Sequence, residues 1–181
     1  MTIEELWRLF PIYLTEHNSS WMRWYAEELC TLKRILPMSQ IRRIAHIGST
    51  AVHTIWAKPI IDILIEVQNA DIDRISKILT DNGYLCMSES SERISLNKGY
   101  TINGFAERVF HLHVRNIGDH DELYFRDYLL SHSEVAKKYE AIKLKLWKKY
   151  EYNRDAYTEG KTTFVKEYTD QAKIEYKGRY D

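Results

Sequence analysis

Apolar residues recur along this chain in two periods, and the switch between them divides it into three parts. Over residues 2–36, Trp7, Phe10 and Leu14, then Trp21, Trp24, Tyr25, Leu29 and Leu32, follow helical spacing. Pro11 is expected to bend or break the first segment. Asn18-Ser19-Ser20 offers an N-cap for the second, and Pro37 stops it. Over residues 41–116 the period becomes that of strands. Ile41–Ile47 is one candidate; Pro59–Val67, β-branched and apolar on both faces, reads as a buried central strand. A helix from Asp71 to Asp81, closed by Asn82-Gly83 in a left-handed cap, precedes strands at Tyr84–Met87, Ile94–Lys98 and Arg108–Arg115, with Gly99 and Gly104 marking turns. Residues 119–178 return to helical spacing as Asp119–Leu130, Ser133–Tyr150 and Asp155 to about Tyr176, with Ser133 as a cap. Sheet first and helices after is an α+β arrangement: a mixed β-sheet flanked by helices, with helical N- and C-terminal segments. The 181 residues suit one domain, 1–181, with its sheet core at 41–116 and a helical part at 119–178.

Charge narrows the partners. Lys plus Arg and Asp plus Glu are 26 each, so nothing draws the whole molecule to nucleic acid or to a membrane, and an anionic ligand needs a local cluster of cations. Aromatics at 13% argue for a packed globule rather than disorder. The N-terminus lacks the basic start and apolar run of a signal peptide, and the run Ile60–Ile65 is broken by Asp62 and too short to span a bilayer, so a cytoplasmic protein is expected. Cys30 and Cys86 form no metal or redox spacing and are expected to be buried apolar side chains.

Two segments carry candidate chemistry. His46-Ile-Gly-Ser-Thr50 ends a strand. Gly48 permits a tight turn and a close approach, and Ser49 and Thr50 add hydroxyls and backbone N–H groups, a means of cradling phosphate. The same residues also suit an ordinary strand-ending turn. In Ala57-Lys58-Pro59-Ile-Ile-Asp62-Ile-Leu-Ile-Glu66-Val67, a carboxylate sits inside an apolar strand, where it needs a partner or a cation. Alternation places Asp62, Leu64 and Glu66 on one face.

HIGSTAV, AKPIIDILIEV, HLHV, FRDYL and YTEGKTTFV, in that order from about Trp21 to Tyr168, resemble the GrpB family of predicted nucleotidyltransferases. The resemblance implies a nucleotidyltransferase-like fold and transfer of an NMP group from an NTP to a small-molecule acceptor. It implies that Gly48, Ser49 and Thr50 hold phosphates and that Asp62 binds a divalent metal, normally magnesium. Manganese is an alternative and zinc a lesser one.

The nucleotidyltransferase pattern has Asp-x-Asp or Asp-x-Glu on this strand; here position 64 is Leu. Glu66 lies about 13 Å along the strand from Asp62, too far to share an ion, and is expected at the strand's solvent end. The neighbouring strand offers His111 and His113 on one face, roughly 6.6 Å apart, where the pattern has a third carboxylate. His113, with Asp62, is the expected metal ligand; His111 and His113 join Asp62 as catalytic candidates. Imidazole suits zinc, manganese or nickel better than magnesium. His46 either orients Asp62 or a phosphate or merely ends its strand; His17, His53, His120 and His132 are expected at the surface. Lys58, Arg126 and Lys161 are the leading cations for phosphate, with Arg93, Lys98, Arg108 and Arg115 further candidates. The run of lysines from 143 to 149 is expected to be a solvated helix face. Without its second carboxylate, the same scaffold could instead hold a nucleotide or phosphate ligand without chemistry.

Overall fold

The computed structural model describes residues 2–181. Five strands form one sheet: β1 (Ile41–Ile47), β2 (Ile60–Val67), β3 (Leu85–Glu89), β4 (Arg93–Thr101) and β5 (Gly104–Asn116). Their order is β1-β2-β5-β4-β3, with β2 and β5 parallel and the other pairs antiparallel. Six helices flank it: α1 (Ile3–Leu9), α2 (Ser20–Ile35), α3 (Ile72–Asp81), α4 (Asp121–Ser131), α5 (Ser133–Tyr150) and α6 (Arg154–Glu175). The mixed α+β architecture is the one expected.

Strand alternation builds two unlike faces. Ile61, Ile63 and Ile65 of β2, with Phe110, Leu112 and Val114 of β5, pack under α2 and α3 against Trp21, Leu32, Ile75 and Leu79. Each such side chain, fully buried, stabilises the fold by about 1.5–3 kcal/mol. The residues between them, Asp62, Leu64 and Glu66 on β2 and His111, His113 and Arg115 on β5, point to the other face. There α4, α5 and α6 cover the sheet and pack on one another through Leu129, Ala136, Tyr139 and Phe164. One layer is dry; the other holds polar groups.

Several expectations change. The first 36 residues are not continuously helical. After Pro11 the chain runs extended: the Ile12 amide donates to the Glu151 carbonyl at 2.8 Å, and Thr15 bridges Ala57. Ser19 occupies the cap position of α2 without a side-chain cap bond, and Asn18, one residue before it, accepts from the Ser20 amide at 2.9 Å. The Asn82-Gly83 cap forms as expected, Gly83 at φ 89° and the Tyr84 amide donating to the Leu79 carbonyl at 3.2 Å. Ser133 opens α5, but His132 occupies the cap position, and no side chain caps it. Gly99 lies inside β4 rather than in a turn, at a register shift, because a Cβ there would meet the Arg108 carbonyl oxygen at 2.2 Å.

Cys30 and Cys86 are exposed, not buried. Glu66 is not at a solvent end but fully buried: its carboxylate accepts from Arg43 at 2.6 Å, from the Gly118 amide at 3.1 Å and from His120 Nδ1 at 2.7 Å. His120 is therefore buried too. Parallel pairing of β2 with β5 carries the Glu66 end of the strand under the loop into α4, which covers it. No helix among the described residues is long and apolar enough to cross a membrane.

Candidate functional site

Asp62 sits mid-sheet, paired with Ile47 of β1 and His111 of β5. Just beyond Ile47 the chain turns at Gly48, whose φ of 73° lies in the left-handed region. A Cβ at that position would stand 2.6 Å from Asp62 Oδ2. The absent side chain is what lets turn and carboxylate meet. Ser49–Ala51 then makes one 3-10 turn. The Thr50 hydroxyl points inward, donating to the Ile60 carbonyl at 3.0 Å and lying 2.9 Å from His46 Nε2. His46, stacked on Tyr25, is pushed down to about 4 by burial, which outweighs the pull of Asp62. His46 and Thr50 thus fasten the turn from beneath.

The imidazoles are spent on Asp62. Because an ionised carboxylate only accepts, His113 must donate from Nε2, 3.0 Å from Asp62 Oδ1. His113 Nδ1 is buried and has no partner among the described residues. His111 Nδ1 lies 3.6 Å from the same Asp62 oxygen, and its Nε2 is 2.8 Å from the Tyr100 hydroxyl. That hydroxyl accepts from Arg154 at 3.0 Å, so its own proton goes to His111. Burial works against the Asp62 charge, but the hydrogen bonds from His111 and His113 more than offset it and hold the carboxyl well below the usual carboxylate range. Burial also lowers His111, against the pull of Asp62, and so favours its neutral form. Of the four ring nitrogens only His113 Nδ1, which is buried, is without a partner among the described residues. Both histidines fix the carboxylate rather than reach past it.

That carboxylate opens onto a cavity of about 810 Å³ between the sheet and α4–α6. Gly48, Ser49, Lys58, Lys143, Arg154 and Lys161 are among its walls. Lys143 donates to Ser49 Oγ at 3.0 Å and to the Trp56 carbonyl, with its Nζ 5.0 Å from the centre of the Tyr139 ring. Lys161 and Lys58 share the Tyr157 ring, at 4.5 and 5.3 Å, and Arg154 lies over Tyr100 at 5.7 Å. Among the described residues none of these four cations has a carboxylate within ion-pair reach. Burial, with repulsion from Lys161, lowers Lys58 and Lys143 to about 7. Burial lowers Lys161 to about 8, against the pull of Asp62. The other cationic candidates are already matched: Arg93 with Asp119, Lys98 with Glu28, Arg108 with Glu27, Arg115 with Glu122. Arg126 pairs with Asp127, and it also donates to the His46 carbonyl at 2.8 Å, steadying the strand end before Gly48.

The GrpB protein family matches residues 11–171. The chain belongs to the GrpB family. Glutamate-rich protein GrpB of Alkalihalophilus pseudofirmus is 32% identical, over 86% of this chain and 92% of its own length. UPF0157 protein YqkA of Bacillus subtilis is 31% identical over 96% of this chain, which spans only 52% of that relative. The crystal structure of conserved protein GrpB from Enterococcus faecalis superposes with a TM-score of 0.78 at 30% identity, over 91% of this chain and 99% of the other. Cid1, in complex with its short product ApU, superposes with a TM-score of 0.51 at 14% identity, over 81% of this chain and 45% of Cid1. That likeness is one of fold: this GrpB chain has the nucleotidyltransferase fold.

The residues do not fit the magnesium ion which that fold leads one to expect. Leu64, in the place of the second carboxylate, is fully buried against Ile47 and Leu123. Asp62 has Oδ1 taken by His113, which leaves a single oxygen for an ion. Imidazoles suit manganese or zinc better, yet among the described residues no three His, Cys, Asp or Glu side chains converge as a metal site. The expected pair Asp62 and His113 is in contact, but as a hydrogen bond.

The structure therefore brings together Gly48, Ser49, Lys58, Asp62, His111, His113 and Lys161 around one cavity, while Thr50 and Arg126 are taken up in supporting it. Sequence reading missed Lys143, Arg154 and Tyr139. Lys143 is no solvated lysine but a buried one. Helical spacing could have found them: Ala136, Tyr139 and Lys143 share a face of α5, as Arg154, Tyr157 and Lys161 do of α6.

Proposed function

We propose that the cavity binds a nucleoside triphosphate and that its chemistry is transfer of the nucleotidyl group to the hydroxyl or amine of a small acceptor. One observation carries this reading: four cations without carboxylate partners face a glycine-serine turn across one cavity. Cid1, whose fold the chain shares, is a poly(U) polymerase crystallised with nucleotides, among them MgATP. In this arrangement the turn amides and the Ser49 hydroxyl meet phosphate oxygens. Lys143 and Lys161 neutralise the charge that gathers on the departing pyrophosphate. Asp62, held ionised by His111 and His113, accepts a hydrogen bond from the attacking group and aims it at the α-phosphorus. The new bond joins the acceptor's oxygen or nitrogen to that phosphorus, the bond to the bridging oxygen of pyrophosphate breaks, and the proton shed by the acceptor passes to the departing pyrophosphate or to solvent.

The test is release of pyrophosphate across a panel of hydroxyl and amine metabolites. Turnover with at least one acceptor, lost in Asp62→Asn, supports the reading. Nucleotide binding with no turnover on any acceptor supports a second one, in which the cavity is a nucleotide-binding module without chemistry. Leu64 in place of a metal-binding carboxylate favours that alternative.

A further inference from the structure

Cations that line or approach this sheet commonly sit beside carboxylates, as Arg43, Arg93, Lys98, Arg115 and Arg126 do. Those around the cavity are placed differently. Lys58 and Lys161 flank one tyrosine ring, Lys143 lies on another, and Arg154 covers Tyr100. Aromatic faces hold a cation weakly and leave its N–H groups free to turn to a stronger partner. Asp62, in the same wall, has Oδ1 committed to His113 and lies outside ion-pair reach of these cations, so it leaves a single oxygen to the cavity, with the buried Leu64 where a second carboxylate would stand. Phosphate chains in enzymes are ordinarily gripped through a divalent ion that carboxylates hold. Here Leu64 takes the place of the second carboxylate, the other acids of the wall, Asp119, Asp121, Glu122 and Asp170, are paired with Arg93, Lys173, Arg115 and Lys166, and the unpaired positive charge is built into the walls.

We propose that the cavity grips the phosphate chain of its ligand through Lys58, Lys143, Arg154 and Lys161, with no divalent ion at Asp62; this deepens, and rests on, the nucleotide reading above. The cations stand where a metal would otherwise compensate the phosphates. Lys143 bridges to Ser49, which ties α5 to the glycine turn so that both close on the same phosphate. Arg154, through Tyr100 and His111, links the phosphate grip to the orientation of Asp62.

The probe is inorganic tripolyphosphate, titrated calorimetrically into the full chain in EDTA and again in magnesium chloride. Binding is expected in EDTA and is not strengthened by magnesium, which competes for the probe. No binding in EDTA, or binding only with magnesium, overturns the proposal. Lys143→Met and Lys161→Met are each expected to weaken binding in EDTA by about tenfold or more. Asp62→Asn is expected to retain it, since among the described residues it removes the one carboxylate of the wall that no Lys or Arg pairs with; loss of binding there counts against the proposal. Circular dichroism checks that each variant is folded, and Lys161→Met decides if Lys143→Met is not. Nucleoside triphosphates run in parallel separate the two readings. If tripolyphosphate binds and no nucleotide does, the nucleotide reading fails and the cation grip stands. If a nucleotide binds only with magnesium, the reverse holds.

Discussion

At Gly48 the left-handed backbone and the contact with Asp62 reinforce one another. Gly48→Ala places a Cβ in both a disfavoured φ and the space of a carboxylate oxygen. It is expected to cost about 1–3 kcal/mol in urea denaturation and to abolish nucleotide-induced stabilisation. The lysines set the pH dependence. Lys58 and Lys143 at about 7 and Lys161 at about 8 lie below the ordinary lysine value, so above pH 7 the unfolded chain binds more protons than the folded one. Stability of the free protein therefore rises from pH 7 towards the ordinary lysine range. Beyond that range Tyr139 and Tyr157, raised by burial, reverse the slope, because the unfolded chain loses its tyrosine protons first. Thermal melts between pH 7 and 9 should show a climbing Tm, flatter in Lys143→Met; a flat wild-type profile contradicts the account. At this scale the glycine turn and Asp62 were legible from residue type alone, as a residue free of Cβ beside a carboxylate in an apolar strand. Lys143 was not, because its neighbours along the chain are solvated lysines and its partners, Ser49 and the Trp56 carbonyl, are remote in sequence.

Strand β2 shows how one element serves two layers. Its isoleucines at 61, 63 and 65 enter the dry core, and its alternate positions hold Asp62 at one end and Glu66 at the other. Glu66 is buried among Arg43, His120 and the Gly118 amide. Glu66→Ala leaves those donors unmatched and is expected to cost about 3–5 kcal/mol, read as a lowered urea midpoint with unchanged slope. A cost under 1 kcal/mol would mean that water takes the carboxylate's place. Strand and helix periods were readable because burial on one face imprints directly on the pattern. The depth of Glu66 and His120 was not, because it depends on how a later loop folds over the strand end. The segment after Pro11 misled for a related reason: helical spacing of Trp7, Phe10 and Leu14 coincides with an extended run whose amides bond to Glu151 and Ala57.

For the molecule as a whole, net charge is zero while four cations are drawn into one cavity. No extended basic surface follows from that arrangement, so homopolymeric RNA is expected to show no saturable binding at physiological salt in filter assays, in contrast to a nucleoside triphosphate. Saturable RNA binding would point to a polymer substrate instead of a small acceptor. The family was legible in the ordered motifs, since they lie on the elements that frame the cavity: the turn after β1, strands β2 and β5, and helices α4 and α6. The departure from the magnesium pattern was legible too, in Leu64, and Lys58 and Lys161 were readable as cations for phosphate; Lys143 and Arg154 were not, because they come from α5 and α6 across the sheet. The most direct measurement is a crystal structure of this protein with a non-hydrolysable nucleoside triphosphate. The account predicts phosphate oxygens within hydrogen-bond distance of Ser49, Lys143 and Lys161, with Asp62 still bonded to His113. A nucleotide bound elsewhere, or one held through a metal at Asp62 with the lysines turned away, would contradict it.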